Sequence, residues 1–260
     1  MLEIKSLTID FYLKEKVIHA VKGIDFSVSN SQIIGIVGES GSGKSVTALS
    51  IMGLLPETAK ISGEVLFENQ NLLELSNKQM RQFRGSRIGY IFQNPLAALN
   101  PVFSIANQMI ETIILHHDIS KKEARTMAID LLDRVKIVDA HKRIDDYPHQ
   151  FSLGMCQRIM IAMTLSMKPD ILIADEPTAS LDVTTQKEIL ELMDELKQSY
   201  NMAMIFISHD LGVVAERCDY VHVMYLGEIL ESGDPKSLFQ SPKHTYTRRL
   251  LDAIPKIHFE

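Results

Sequence analysis

Residues 38–45, Gly-Glu-Ser-Gly-Ser-Gly-Lys-Ser, fit the spacing G-x-x-x-x-G-K-[ST], which is typical of a phosphate-binding loop. Glycines let successive backbone N–H groups turn onto phosphate oxygens, and the N-terminus of a following helix adds partial positive charge. Lys44 would reach the β- and γ-phosphates of a nucleotide, and the Ser45 hydroxyl would hold Mg²⁺. A flexible glycine-serine turn is the alternative, but a chance match to the whole pattern is rare in a chain of this length. The predicted nucleotide contacts are Gly38, Glu39, Ser40, Gly41, Ser42, Gly43, Lys44, Ser45 and Val46.

Asp175 and Glu176 form a second chemical centre in the sequence. They follow the uniformly apolar residues 171–174, which are typical of a buried parallel strand with its carboxyl end at the ligand-binding edge of a sheet. Asp175 suits Mg²⁺ ligation, directly or through water, and Glu176 could polarise a water for attack on a γ-phosphate. Adjacent acids also occur in solvated turns. The phosphate-binding loop in the same chain favours the catalytic interpretation.

The elements that must position these groups alternate between strand and helix patterns. Residues 33–37 predict a buried strand before the loop, and residues 46–55 predict a helix after it. Prolines and helical periodicity between residues 94 and 165 predict a mostly helical insert. The other predicted strands are 2–11, 21–28, 62–68, 87–92, 202–207, 220–224 and 228–231, and the other predicted helices are 77–84, 184–199, 235–240 and 245–253.

Composition limits the classes of protein to consider. The 260 residues suffice for one large α/β domain or two small ones, and the net charge of −6 argues against nucleic acid as the main partner. The N-terminal residues lack the pattern of a secretory signal, and no apolar run approaches the ~18 residues needed to cross a bilayer, so we expect any membrane role to be peripheral. Cys156 and Cys218 are far apart in sequence and are expected to be free thiols.

Six motifs occur in order along the chain, at residues 38–45, Gln93, residues 151–158, residues 171–176, residues 180–182 and His209. Together they resemble the ATP-binding cassette (ABC) ATPase family. In that family they are the Walker A loop, Q-loop, signature, Walker B strand with its glutamate, D-loop and H-loop. The resemblance covers nearly the whole chain. It implies an α/β P-loop NTPase, with a RecA-like core and an antiparallel β subdomain at 1–93 and 166–260, and an inserted α-helical subdomain at 94–165.

The resemblance also implies roles for residues that the motifs alone do not explain. Gln93 would touch Mg²⁺ and the attacking water, and His209 would contact the γ-phosphate and hold Glu176 and the water in place. A structural histidine is the alternative for His209. An aromatic residue before the second strand stacks on adenine in this family. Phe11 is the first candidate and Tyr12 the second, although Phe11 could simply complete its strand.

The signature departs from the family pattern Leu-Ser-Gly-Gly, because this chain has Phe-Ser-Leu-Gly at 151–154. In a cassette dimer Ser152, with Gly154 and Met155 at the helix N-terminus behind it, would reach the γ-phosphate bound by the opposite subunit. Leu153 adds a bulky side chain and restricts a backbone that glycine leaves free. Our hypothesis is that the ATP site completed by this signature is impaired, whereas the site at this chain's own Walker A loop keeps all its residues.

Longer sequence segments are similar to segments in the ATPases of oligopeptide, dipeptide and nickel importers. Examples are Ile-Met-Gly-Leu-Leu-Pro at 51–56, Gln-Asn-Pro-Leu-Ala-Ala-Leu-Asn-Pro at 93–101 and Lys-His-Thr-Tyr-Thr at 243–247. The resemblance implies ATP and Mg²⁺ as cofactors, a second and different cassette as partner, two transmembrane permease subunits and an extracytoplasmic binding protein. It places the chain peripherally on the cytoplasmic face of the cell membrane. Many relatives continue into a cysteine-bearing extension that in some cases carries an iron–sulfur cluster. This chain stops at Glu260, so no cluster is expected.

The expected function is therefore ATP hydrolysis that drives peptide import. Import of nickel or a metal chelate is the alternative within the same family. A soluble cassette protein of translation or DNA repair is a rival from another class, but such proteins usually carry two cassettes or a long coiled-coil insertion. A P-loop kinase or GTPase would not explain Ser152 and His209.

Overall fold

A computed structural model describes residues 1–253 of the chain. The strands are β1 (Leu2–Tyr12), β2 (Val17–Val28), β3 (Ile33–Val37), β4 (Ala59–Phe67), β5 (Gln70–Asn71), β6 (Ile88–Ile91), β7 (Ile171–Asp175), β8 (Ala203–Ser208), β9 (Tyr220–Tyr225) and β10 (Glu228–Gly233). The α-helices are α1 (Lys44–Ile51), α2 (Asn77–Met80), α3 (Pro95–Ala98), α4 (Ile105–His116), α5 (Lys121–Arg134), α6 (Ala140–Arg143), α7 (Leu153–Leu165), α8 (Val183–Tyr200), α9 (Leu211–Arg217), α10 (Pro235–Gln240) and α11 (Thr245–Asp252). Of the helices in residues 1–253, none is both long and apolar enough to cross a membrane.

By their internal contacts, the described residues form two compact units. The first unit comprises Met1–Arg81 and the described chain from Ala203 onward, and the second comprises Gln82–Met202. The predicted boundaries of the core and helical subdomains, at residues 93/94 and 165/166, stay a prediction. The end of the predicted core, residues 254–260, lies outside the described residues.

An antiparallel sheet in the first unit has the strand order β2-β1-β4-β5. Its buried side chains alternate along β1, with Leu2, Ile4, Leu7 and Ile9 in the core, as expected for a sheet with one solvated face. β2 begins at Val17 rather than at residue 21, because residues 17–19 pair with residues 10–12 of β1.

The second sheet of this unit carries the phosphate-binding loop. β3 lies between β8 and β9 and is parallel to both, and β10 pairs antiparallel with β9. Every residue of β3 and β8 is buried, which explains their continuous apolar sequences. The strand predicted before the loop is confirmed. The helix predicted over 46–55 is shorter, and it ends at Ile51 because the chain turns at Gly53, whose φ is +59°.

The second unit contains the parallel pair β6 and β7 and the helices α3 to α8. All residues of β6 and β7 are buried, and their register aligns Ile91 with Ala174. The mostly helical segment predicted after β6 is confirmed. The helix predicted over 77–84 is wrong in length. The observed helix α2 ends at Met80, because the chain then turns, with Gly85 at φ +84°.

Candidate active site

The phosphate-binding loop joins β3 to α1, and its backbone places N–H groups where an anion could bind. α1 starts after Gly43, and Thr47 donates the first hydrogen bond within the helix, 2.9 Å to the Gly43 carbonyl. The N–H groups of Lys44, Ser45 and Val46 therefore lie in the first turn, where a helix provides no carbonyl acceptors of its own and its dipole is positive. Such a helix start suits the oxygens of a phosphate.

Lys44 is folded into the loop that precedes it. Its side chain is buried, and Nζ donates to the carbonyl of Gly38 at 2.8 Å, the carbonyl of Glu39 at 2.9 Å and the hydroxyl of Ser42 at 3.3 Å. Gly38 permits the loop to start this tightly, because a Cβ at that position would lie 2.0 Å from the Met224 carbonyl oxygen. The ammonium is thus fixed beside the loop by three oxygens.

His209 leaves its strand at the same edge of the sheet as the phosphate-binding loop. The parallel register aligns Val37 of β3 with Ser208 of β8, so Gly38 and His209 are the next residues of the two strands. His209 is exposed, and the following Asp210 caps α9 by accepting from the N–H groups of that helix. This position is consistent with the predicted contact between His209 and a γ-phosphate.

Phe11 lies near the end of β1 and is partly exposed, whereas Tyr12 is 51% exposed. Phe11 pairs with Ile18 on one side and Ala59 on the other. Its neighbours therefore hold its backbone at the rim of the antiparallel sheet. Both the stacking role and a purely structural role fit this position.

Asp175 ends β7 in the second unit and is held by a tyrosine. The Tyr90 hydroxyl donates to Oδ2 of Asp175 at 2.8 Å, and both side chains are buried. Burial and the negative charge of Asp175 raise the pKa of Tyr90 well above its usual value, so the tyrosine stays a hydrogen-bond donor at neutral pH. A carboxylate oriented in this way resembles metal-ligating carboxylates, which are themselves hydrogen-bonded.

Glu176 contacts Gln93 within the second unit. Gln93 Nε2 donates to Oε2 of Glu176 at 2.8 Å. The backbone of Glu176 is left-handed, with φ +46°, a conformation that costs roughly 1 kcal/mol for a residue other than glycine. This turn directs the chain out of β7 immediately after Asp175. Because Gln93 uses its nitrogen toward Glu176, its amide oxygen is the atom suited to a cation.

The donors that the sequence predicts for Mg²⁺ are all oxygens, and Mg²⁺ prefers one or two carboxylates together with phosphates and water. In that prediction Asp175 would supply a carboxylate, Ser45 a hydroxyl and Gln93 an amide oxygen. Nitrogen or sulfur donors, which would favour a softer metal, are absent from this predicted set.

The signature residues begin α7. Ser152 is its exposed N-cap, and its Oγ accepts from the Met155 N–H at 3.3 Å. Leu153 is the first helical residue and does not have a positive φ, so its backbone is unstrained. The bulk of the Leu153 side chain is therefore the property that bears on the hypothesis of an impaired site, which stays a prediction.

Gly154 is required by close packing within the second unit. A Cβ on Gly154 would lie 2.5 Å from Cγ2 of Thr185 on α8. Thr185 is itself held by Asp182 of the D-loop, which accepts from its hydroxyl at 2.7 Å and its N–H at 3.0 Å. Gly154 thus packs against the first turn of α8, whose N-cap is Asp182 of the D-loop.

Arg143 was not foreseen from the sequence, although it anchors the residues before the signature. Its guanidinium lies 4.1 Å from the centre of the Phe151 ring, and it donates to the Gln150 carbonyl at 2.9 Å and to Asp146 at 3.1 Å. Tyr90 was also missed. Its strand position reads as ordinary core, so no local pattern in the sequence signals either contact.

Comparisons with known proteins agree with this arrangement. Residues 21–179 match the family described as ABC transporter. The chain is 45% identical to the oligopeptide transport ATP-binding protein OppD of Haemophilus influenzae, over 99% of this chain and 80% of that protein. It is 47% identical to the dipeptide transport ATP-binding protein DppD of Bacillus subtilis, over 99% of this chain and 77% of that protein.

The chain belongs to the ABC transporter family. Among solved structures, a dimeric ATP-binding cassette in a post-hydrolysis state with bound ADP and Pi matches with a TM-score of 0.81 and 26% identity, over 90% of this chain and 99% of that one. The expected fold class, the ABC ATPase type of P-loop NTPase, is thereby confirmed. Membership of this family makes the chain an ATP-binding ATPase subunit.

Proposed function

We propose that this ABC ATPase powers a peptide importer. The observation that carries the catalytic part is the loop at residues 38–45, with buried Lys44 on its carbonyls and the start of α1 behind it. The peptide cargo is proposed from similarity over nearly the whole of this chain to ATP-binding proteins of oligopeptide and dipeptide transport.

In the proposed reaction Lys44 and the first-turn N–H groups of α1 bind the phosphates of ATP. Mg²⁺, held by Ser45, Asp175 and Gln93, would neutralise charge on the phosphate oxygens. Lys44 would exchange loop carbonyls for phosphate oxygens, which keep its charge hydrogen-bonded while buried. The Tyr90 hydroxyl, which donates to Asp175 in the structure, would hold this carboxylate in one orientation.

Glu176 is the proposed general base. It would orient a water in line with the γ-phosphate and accept its proton, with His209 holding the phosphate and the water. Gln93 donates to Oε2 of Glu176 in the structure and so orients the carboxylate, whose two oxygens have enough lone pairs to accept from water as well. Movement of Gln93 is thus a route by which a membrane partner could control the base.

A second cassette would complete the ATP site. Ser152 accepts from the Met155 N–H, yet its own hydroxyl proton stays available for a phosphate oxygen of the partner's ATP. The bulk of Leu153 between Ser152 and Gly154 supports the hypothesis that the ATP site formed by this signature and the partner's Walker A loop is impaired. The two cassettes would then differ. The competent site would then be the one built on this chain's Walker A loop.

The proposed transmembrane partners are two permease subunits fed by an extracytoplasmic binding protein, with this chain on the cytoplasmic face of the membrane. Apolar side chains follow Gln93 along the chain, and Leu96, Val102 and Phe103 are 50%, 71% and 49% exposed. Exposed apolar groups of this size suit a protein partner. Their position shortly after Gln93 in sequence would let a docked permease act on the contact between Gln93 and Glu176.

The test is reconstitution with the permeases, the second cassette and the binding protein in proteoliposomes. We expect peptide-loaded binding protein to stimulate ATP hydrolysis, and Ni²⁺ or a nickel chelate to leave it at the basal rate. Stimulation by nickel alone would replace the peptide assignment by the metal one. Purification with ribosomes or DNA, and without permeases, would overturn the transport role.

The signature hypothesis has its own comparison. Glu176→Gln is expected to abolish peptide-stimulated turnover, whereas the equivalent change in the partner cassette should leave a substantial part of it. If turnover were near normal with Glu176→Gln and abolished by the equivalent change in the partner, the assignment of the competent site would be reversed.

A further inference from the structure

Tyr246 of α11 lies far from every nucleotide motif in sequence, yet its hydroxyl reaches the phosphate-binding loop. The side chain is 4% exposed, and Oη accepts from the Glu39 N–H at 3.1 Å. Its ring packs against Tyr225 of β9 with 4.1 Å between ring centres. All three residues belong to the first unit.

The same peptide group is bonded on its other side to Lys44. The peptide between Gly38 and Glu39 carries the N–H that donates to Tyr246 and the carbonyl that accepts from Lys44 Nζ at 2.8 Å. A peptide group is planar, with its N–H and C=O pointing in opposite directions. Rotation of this plane would therefore break both hydrogen bonds together, so the orientation favoured by Tyr246 is also the one that holds Lys44.

The start of α11 is fixed independently of the loop. The Glu231 carboxylate on β10 accepts from the backbone N–H of Lys243 at 2.8 Å and from that of His244 at 3.0 Å. His244 caps the helix, because its Nδ1 accepts from the Tyr246 N–H at 3.1 Å. Tyr246 is thus held by β10 and by its own helix cap, and can act as a fixed support for the loop.

We propose that Tyr246 is a positioning residue for ATP binding, which sets the orientation of the Gly38–Glu39 peptide and through it the place of the Lys44 ammonium. This inference rests on the proposed function, because it assigns a residue to the same ATP site. It gives the Lys-His-Thr-Tyr-Thr segment at 243–247 a task in nucleotide binding, through the phosphate-binding loop.

Tyr246→Phe tests the inference, because it removes the hydroxyl and keeps the ring on Tyr225. We expect the dissociation constant of MgATP for the purified full chain, measured by calorimetry, to rise about 3- to 10-fold, the effect of one net hydrogen bond. Tyr220→Phe is the matched control, since it removes an exposed hydroxyl from β9, and it should bind MgATP like the parent chain.

A second measurement separates positioning from general loss of structure. In ¹⁵N-labelled chains, exchange of the Glu39 amide proton should be much faster in Tyr246→Phe, while amides in the core of β3 keep the exchange rates of the parent. Unchanged MgATP affinity or unchanged Glu39 exchange in Tyr246→Phe would overturn the inference alone. Absence of MgATP binding by the parent chain would overturn the proposed function and this inference with it, whatever the amide shows.

Discussion

The contact between Gly154 of the signature helix and Thr185 of α8 gives a prediction whose magnitude follows from the structure. In Gly154→Ala the added Cβ would lie 2.5 Å from Cγ2 of Thr185, whereas carbon atoms in contact are normally about 3.5–4.0 Å apart. Thr185 cannot rotate away freely, because its hydroxyl donates to Asp182. We expect this overpacking to destabilise the chain by about 1–3 kcal/mol.

Thr185→Ser supplies the matched background, because serine lacks Cγ2 and keeps the hydroxyl for Asp182. In that background Gly154→Ala should range from neutral to stabilising by up to about 1 kcal/mol, since the clash is absent and alanine favours a helix over glycine. Urea unfolding of the four chains gives the coupling free energy, which we expect to be about 1–3 kcal/mol. A coupling near zero would refute the argument, because the cost of the alanine would then not arise from Thr185.

Three further predictions concern single side chains. Tyr90→Phe should raise roughly tenfold the Mg²⁺ concentration that half-saturates ATP hydrolysis, because Asp175 loses its orienting donor; an unchanged Mg²⁺ titration would contradict this. Burial lowers the pKa of His222 to about 4, below the unfolded value of about 6.5, so stability is full above pH 6.5 and is lost as the pH falls toward 4. Urea unfolding should show a loss of about 2 kcal/mol between about pH 7.5 and 5, which His222→Asn should flatten. Phe11→Ala should weaken ATP binding at least about fivefold, whereas Tyr12→Ala should leave it unchanged. If only Tyr12→Ala weakened ATP binding, the stacking role would belong to Tyr12.

Local patterns in the sequence predicted the parts of this fold that depend on neighbouring residues. The buried strand at residues 33–37 and the helical segment after β6 follow from apolar runs and helical periodicity. The start of β2 at Val17 could not be predicted in this way. Residues 17–19 belong to the strand because they pair with β1, and their own sequence has no pattern that indicates this pairing. Helix ends were also set by single glycines, as at Gly53 after α1.

The candidate active site was likewise predictable from the sequence only in part. The loop at 38–45 and the adjacent acids are recognisable because their chemistry requires fixed spacing along the chain. The supports of these groups come from distant positions, as in the bonds from Tyr246 to Glu39 and from Tyr90 to Asp175. Such contacts leave no periodic signal, since each supporting residue also fits an ordinary core or helix position.

The central claim is that hydrolysis by this chain, with Glu176 as base, drives peptide import. The most direct measurement is uptake of a labelled peptide into proteoliposomes that contain the assembled transporter and internal ATP. Glu191→Gln serves as the control, because it neutralises an exposed acid on α8 of the same unit. We predict that Glu176→Gln abolishes uptake while Glu191→Gln transports like the parent; ATP-dependent uptake at the parental rate with Glu176→Gln would contradict the account.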